Sequence, residues 1–311
     1  MQRLLLPLLG LLLSLSFAPR VDAADPNYTR QEDVIYGRKF GTALTLDVFT
    51  PKGPTNGAAV VMVVSGGWFS SHDNINVGFF QSVLDRGYTV FAVVHGSNPR
   101  FTILDAISDM NRAVRYIRHR AADFKIDPER IGIMGGSAGG HLSLMQGMAG
   151  TAGNPDAKDP VDRQSSRVQS VACFYPPTDF LNYGKEGENA MGRGVLANFR
   201  APFDFEEFDP KAKEFVAITD EARLLAIAKQ ISPAYHVTAD DPPTLIIHGD
   251  ADLLVPIQQS KLVMDKLEEV KVPHELVVRP GAVHGWKDLV KDVDLFADWF
   301  DKHLKKAEAT K

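Results

Sequence analysis

Six short apolar runs constrain the fold of this chain more than anything else in it. Residues 58–64 (AAVVMVV), 89–94 (TVFAVV), 131–134 (IGIM), 168–175 (VQSVACFY), 244–247 (TLII) and 275–278 (ELVV) lack the polar/apolar alternation of a strand with one wet face. Runs of this kind suit strands buried on both faces of a parallel sheet. Helical patterns separate them: Leu104, Ile107, Met110, Val114 and Ile117 step by three and four, as do Leu289, Val293, Phe296 and Phe300. Two segments near the start, DVIYG and ALTLDVFTP, do alternate and predict an antiparallel strand pair. The expected class is α/β, with three layers: a mostly parallel central sheet and helices on both faces.

Residues 176–235 interrupt this rhythm with glycine, charge, a helical pattern near 220–229 and the phenylalanines Phe199, Phe203, Phe205 and Phe208. Two readings fit. The stretch is either a small lid-like insertion over the carboxyl ends of the strands, or a solvated loop whose phenylalanines cluster locally.

The first residues, MQRLLLPLLGLLLSLSFAPRVDA, carry an early arginine, an apolar run and small residues at Val21 and Ala23. They predict a signal peptide over residues 1–23, leaving 24–311 as one domain. The apolar run falls short of the roughly 20 residues that span a bilayer, so no stable membrane anchoring is expected and the protein is expected to be secreted or periplasmic. Acidic residues outnumber basic ones by 39 to 34, with no basic stripe interleaved with aromatics, which disfavours a nucleic-acid partner. Cys173 is the single cysteine, so neither an internal disulfide nor a cysteine metal cluster can form.

The chemistry concentrates in RIGIMGGSAGGH, residues 130–141, where an apolar run meets one serine with two glycines on each side. A strand that reverses sharply into a helix needs bare residues two before and two after the turn, and Gly135 and Gly139 hold those places around Ser137. A serine at such an elbow needs a base to take its proton and an acid to orient that base, arriving in the chain order serine, acid, histidine. Asp250 and Asp252 follow the run TLII, and His284 follows ELVV. All three positions lie past the carboxyl ends of expected parallel strands, the edge where α/β sheets place ligands. His141 is expected to sit within the helix after the elbow, and His248 to brace the acid loop. His248, Asp250 and Asp252 lack the further histidines a metal site would need, so no metal is expected. Oxyanion donors are expected from the amide of Ala138, at a helix start, and from Gly66 and Gly67 in the loop VVSGGWFSSH.

Together, SGGW at 65–68, DPERIGIMGGSAGGHL, YPPTDF at 175–180, HGDADLLVP and GAVHGW resemble the serine esterases of the α/β-hydrolase superfamily. The likeness is to the hormone-sensitive-lipase-like carboxylesterases, including the bacterial feruloyl and acetyl-xylan esterase-like group. It implies a secreted serine carboxylesterase with the triad Ser137, Asp252 and His284, the second aspartate being the acid. It also implies no cofactor, and a small-molecule or polysaccharide ester as substrate, such as acetyl or feruloyl groups on carbohydrate. Trp68 and Trp286 become candidate walls of the substrate pocket. One departure stands out: many relatives carry H-G-G-G-W where this chain has Val64-Ser65-Gly66-Gly67-Trp68. Two other functions suit the same residues, a serine exopeptidase of prolyl-oligopeptidase-like type and an inactive hydrolase fold used for binding.

Overall fold

The computed structural model describes residues 26–305, so the expected signal peptide lies outside the described residues. In chain order the strands are β1 (Tyr28–Lys39), β2 (Thr42–Pro51), β3 (Ala59–Val64), β4 (Thr89–Val94), β5 (Ile131–Gly136), β6 (Ser170–Phe174), β7 (Glu206–Asp209), β8 (Glu214–Ala217), β9 (Thr244–Gly249) and β10 (His274–Arg279). The α-helices are α1 (Gln81–Asp85), α2 (Ile103–His119), α3 (Ala138–Met148), α4 (Glu221–Gln230), α5 (Gln258–Glu269) and α6 (Val293–Leu304). Eight strands form one sheet in the order β1-β2-β4-β3-β5-β6-β9-β10. The β1–β2 and β2–β4 pairs are antiparallel, and every pair from β4 to β10 is parallel.

The missing alternation in the apolar runs has a direct cause. Val61 and Val63 of β3 face a core shared with α2, α3 and α5, while Val60 and Val64 face a second core closed by α1 and α6. Each strand residue therefore meets a helix layer, whichever way it points. Phe296 and Phe300 of α6 are fully buried in the second core, and removing each ring from water contributes about 1.5–3 kcal/mol. Helix α2 buries Ile103, Ala106, Met110, Ala113, Val114 and Ile117, whereas the expected Leu104 and Ile107 are only partly buried on its shoulder. Its start is fixed by Thr102, whose N–H donates to the Asp105 carboxylate at 2.9 Å.

One strand departs from expectation. β10 is the sheet's edge and has a partner on one side only, so Glu275 is exposed and Val278 is 38% exposed. Its Leu276 and Val277 are only partly buried, one against the first core and the other against the second.

The segment between β6 and β9 contains short 3-10 turns, the β7–β8 hairpin and α4, whose N-terminus is capped by Asp220 accepting from the Arg223 N–H at 2.8 Å. Neither expectation for this stretch describes all of it. Phe203 and Phe205 sink into the first core, where the Phe203 ring meets Trp68 edge-on at 5.3 Å, but Phe208 is 54% exposed and touches only the hairpin partner Phe215 among the described rings.

Candidate active site

Because β5, β6, β9 and β10 are parallel neighbours, the loops that leave them emerge at one end of the sheet. That placement brings together three side chains from distant parts of the chain. Ser137 sits between β5 and α3 with φ 55° and ψ −120°, a backbone region that costs a side-chain-bearing residue about 1–3 kcal/mol. Its N–H donates to the Phe174 carbonyl at 3.0 Å, tying the turn to the end of β6. The turn is tight enough that a Cβ on Gly135 would lie 2.6 Å from the Gly139 carbonyl, and one on Gly139 would lie 2.9 Å from the Val63 carbonyl. Gly135, Gly139 and Gly140 are bare because strand, helix and the neighbouring strands touch backbone to backbone there, whereas a Cβ on Gly136 would make only ordinary contacts.

His284 follows β10 and is partly exposed, with its Nδ1 2.7 Å from Asp252 Oδ2 and its Nε2 3.0 Å from Ser137 Oγ. A carboxylate only accepts, so Nδ1 carries the hydrogen and Nε2 is left to accept from the serine hydroxyl. Asp252 is buried, and its Oδ1 accepts from the N–H groups of Leu254 and Val255, both at 2.9 Å. Burial opposes its charge; the side-chain contacts from His248 and His284, with the Val255 N–H, overcome that and hold the carboxyl well below the usual carboxylate range. The other aspartate does something else: Asp250 is exposed and its Oδ1 accepts from the Gly281 N–H at 2.6 Å, pinning the acid loop to the histidine loop without reaching His284.

The accessory histidines are both spent on structure. His248 Nε2 lies 2.8 Å from the Val255 carbonyl and its Nδ1 lies 2.6 Å from Ser260 Oγ, so neither nitrogen is free for a metal. His141 Nε2 donates to the Ile231 carbonyl at 2.7 Å while its Nδ1 accepts from Trp68 Nε1 at 3.2 Å.

That bond corrects one expectation about the substrate pocket. Trp68 is only 3% exposed, with its ring between His141, Phe180 and Phe203, so it is a core residue that anchors the loop rather than a pocket wall. Trp286 is half-buried, donates from Nε1 to Asp292 at 2.8 Å and lies edge-on to Phe174 and Tyr175.

The two candidate loop donors also separate. The Gly66 N–H is already given to the Phe69 carbonyl at 3.0 Å, with the Phe69 N–H returning to Gly66 at 2.9 Å. Gly66 is thereby withdrawn as a donor, because an amide hydrogen held in a backbone bridge cannot also meet a substrate oxygen. Gly67, with φ 55°, has no such backbone bond among the described residues, and neither does Ala138 at the start of α3. The Phe199 ring covers the Cα of Gly67 so closely that a Cβ there would lie 2.6 Å from it.

Tyr175 belongs to the site although the sequence did not single it out as a site residue. It follows β6 directly, takes a φ of 33°, and lays its ring 4.4 Å from the His284 imidazole. Burial, and then the charge of Asp252, push its hydroxyl up to about 12, so it stays protonated. The available signal was its place after a strand adjacent to the elbow strand.

The BD-FAE family profile matches residues 46–267, well over half of the chain. The chain belongs to the BD-FAE family. Within that span lie Gly67, Ser137 and Asp252, while His284 falls after its end. The BD-FAE chain is 29% identical over 248 residues to "Probable carboxylic ester hydrolase LipM" of Mycobacterium tuberculosis, covering 78% of this chain and 53% of that one. It thus spans about half the length of the curated relatives it matches. Among solved structures it superposes on a truncated carbohydrate esterase from gut microbiota with a TM-score of 0.71 and 26% identity, covering 91% of this chain and 99% of that one. It shares its fold with an acetyl ester-xyloside bifunctional hydrolase from Caldicellulosiruptor lactoaceticus, at a TM-score of 0.69 and 22% identity over 87% of this chain and 95% of that one. The α/β-hydrolase fold expected from the sequence is therefore the fold of this protein.

Proposed function

We propose that this BD-FAE protein is an exported serine carboxylesterase that works through an acyl-enzyme. The hydrogen-bonded series Asp252–His284–Ser137 carries the reading. Ser137 Oγ attacks the ester carbonyl carbon as His284 Nε2 takes its proton. Asp252 keeps the Nδ1 hydrogen in place and stabilises the imidazolium. The N–H groups of Gly67 and Ala138 receive the oxyanion, in a field that the N-terminus of α3 makes favourable to negative charge. His284 returns the proton to the leaving alcohol, and a water repeats the steps to release the acid. The residues do this without a metal or organic cofactor.

The likeness to a carbohydrate esterase supports acyl groups carried on sugars, acetyl foremost, as the substrate class. The Tyr175 ring beside His284, with Trp286 packed against Tyr175, supports an aryl acyl group such as feruloyl as the alternative. The test is hydrolysis of nitrophenyl acetate, acetylated xylose and a methyl ferulate by purified protein, with an aminoacyl nitroanilide in parallel. Turnover of an ester, together with fluorophosphonate labelling of wild type but not of Ser137→Ala, is the expected result. Faster cleavage of the anilide would give the exopeptidase reading precedence, and an unlabelled, inactive wild type would leave a binding fold.

A further inference from the structure

The loop that offers the Gly67 N–H is under strain. Gly67 and Trp68 both take positive φ, 55° and 58°, and for tryptophan that region is unfavourable by about 1–3 kcal/mol. Something must hold the loop, and the residue ahead of it, Val64, is a buried apolar side chain with no polar group to offer.

Besides the Trp68 anchor on His141 and the Gly66–Phe69 bridge, fastening comes from the neighbouring strand. β3 and β4 run parallel with Val64 opposite Val94, so the loops leaving them start side by side. His95 is buried, and its Nδ1 lies 2.8 Å from the Gly96 carbonyl while its Nε2 lies 2.8 Å from Ser65 Oγ. A carbonyl accepts, so Nδ1 bears the hydrogen and Nε2 receives the Ser65 hydroxyl. Burial lowers the imidazole to about 4, which keeps Nε2 an acceptor at neutral pH. Around this pair the two loops are sewn together. Ser70 Oγ donates to the Val64 carbonyl and accepts the His95 N–H at 3.2 Å, Ser97 Oγ accepts the Ser70 N–H at 2.7 Å and donates to its carbonyl at 2.6 Å, and Asn98 Nδ2 donates to the Gly67 carbonyl at 3.1 Å. The other side of the loop faces the elbow: the Ser65 carbonyl lies 3.4 Å from where a Cβ on Gly139 would stand.

We propose that Ser65 and His95 are positioning residues for the oxyanion donor, fixing the loop so that the Gly67 N–H and the Ala138 N–H converge on one point beside Ser137. The proposal rests on the esterase reading. Neither residue touches substrate, and both act through the backbone of residues 66–68. The family-level departure at residues 64 and 65 then has a physical meaning, since the hydroxyl at 65 and the imidazole at 95 supply from the next strand the polar bond that Val64 cannot make.

Ser65→Ala, Ser65→Thr and the double variant Ser65→Ala/His95→Gln test this. Complete loss of one oxyanion donor lowers turnover about 10² to 10³-fold, so a displaced one should lower kcat of Ser65→Ala by about 10 to 100-fold. KM should stay within about twofold, because the ground-state carbonyl depends little on the donor. Binding of a trifluoromethyl ketone, whose oxyanion mimics the transition state, should weaken in step with kcat. Ser65→Thr restores the hydroxyl and should restore most of both, and the double variant should be no worse than Ser65→Ala. Rates are expressed per site titrated with fluorophosphonate, so that a variant that merely folds poorly loses titratable sites and not kcat. Ser65→Ala with wild-type kcat per site and wild-type ketone affinity overturns the proposal. A wild type that hydrolyses esters but is unaffected by these variants overturns the pair's role alone; a wild type that neither labels nor hydrolyses overturns the esterase reading and the pair's role with it.

Discussion

On the proposed esterase reading, alanine at position 135 should damage this protein far more than alanine at 136, although the two glycines are adjacent in one motif. A Cβ on Gly135 would lie 2.6 Å from both the carbonyl carbon and the oxygen of Gly139, and 3.1 Å from its Cα. All three are backbone atoms of α3, so no side chain can swing aside. Reaching an ordinary 3.4 Å contact requires strand and helix to separate by about 0.8 Å. Overpacking of this kind costs about 1–3 kcal/mol in stability. The functional loss should be larger in relative terms, because the displaced segment carries Ser137 and the Ala138 N–H, and a misplacement near 1 Å costs about 10²-fold in rate. On Gly136 the nearest atom would be the Tyr175 hydroxyl at 3.5 Å, followed by Phe174 Cβ at 3.7 Å, which are normal contacts at a φ that alanine accepts. The assay is kcat/KM on nitrophenyl acetate with thermal midpoints for both variants. Gly135→Ala should lose about 100-fold and Gly136→Ala a few-fold at most. Equal losses at the two positions, or a fully active Gly135→Ala, would refute the argument that backbone contact sets the elbow.

Two further outcomes follow from the site and its surroundings. In Asp252→Asn the amide oxygen stays with the Leu254 and Val255 N–H groups, so an NH2 donor faces His284 Nδ1 in place of the acceptor and kcat should fall by about 10³ to 10⁴-fold, whereas Asp250→Asn keeps an oxygen for the Gly281 N–H and should stay within about fivefold of wild type; similar losses would leave the acid unassigned. His95 and His141 are both lowered to about 4 by burial, so between that value and about 6.5 the unfolded chain binds protons that the folded chain refuses. Stability should therefore fall as pH drops from 7 to 5, by about 2 kcal/mol for each histidine, while the contribution of Asp252, whose carboxyl is held low, remains intact across that interval. Urea midpoints at the two pH values measure this, and equal midpoints would contradict it.

The sheet and the order of the catalytic loops could be read from local pattern. Apolar runs such as AAVVMVV say that both faces of a strand are covered, whatever covers them, and a glycine two residues on either side of a serine says that backbones pass there. β10 escaped the first rule, because an edge strand has half its surroundings missing and its short run does not register that. Phenylalanines in the insertion were ambiguous for the same reason: Phe203 and Phe208 look alike in sequence, and only their neighbours put one in the core and the other on the surface.

What the sequence determined by itself was the set of segments: which strands, which turns, and a serine, an acid and a histidine in order along one rim. What only the tertiary structure decided was the assignment within each segment. It brings Asp252, the acid that the family resemblance already implied, to His284, leaves the Gly67 rather than the Gly66 N–H without a backbone partner among the described residues, turns Trp68 inward to His141, and gives the hydroxyl of Ser65 to His95. Apart from the local Gly66–Phe69 bridge, those choices rest on hydrogen bonds between residues 30 to 73 positions apart, as in Ser65 with His95 and Trp68 with His141. Local periodicity reports whether a face is wet or dry; it holds no record of which polar atom arrives from the next strand, and that is set by register and strand order.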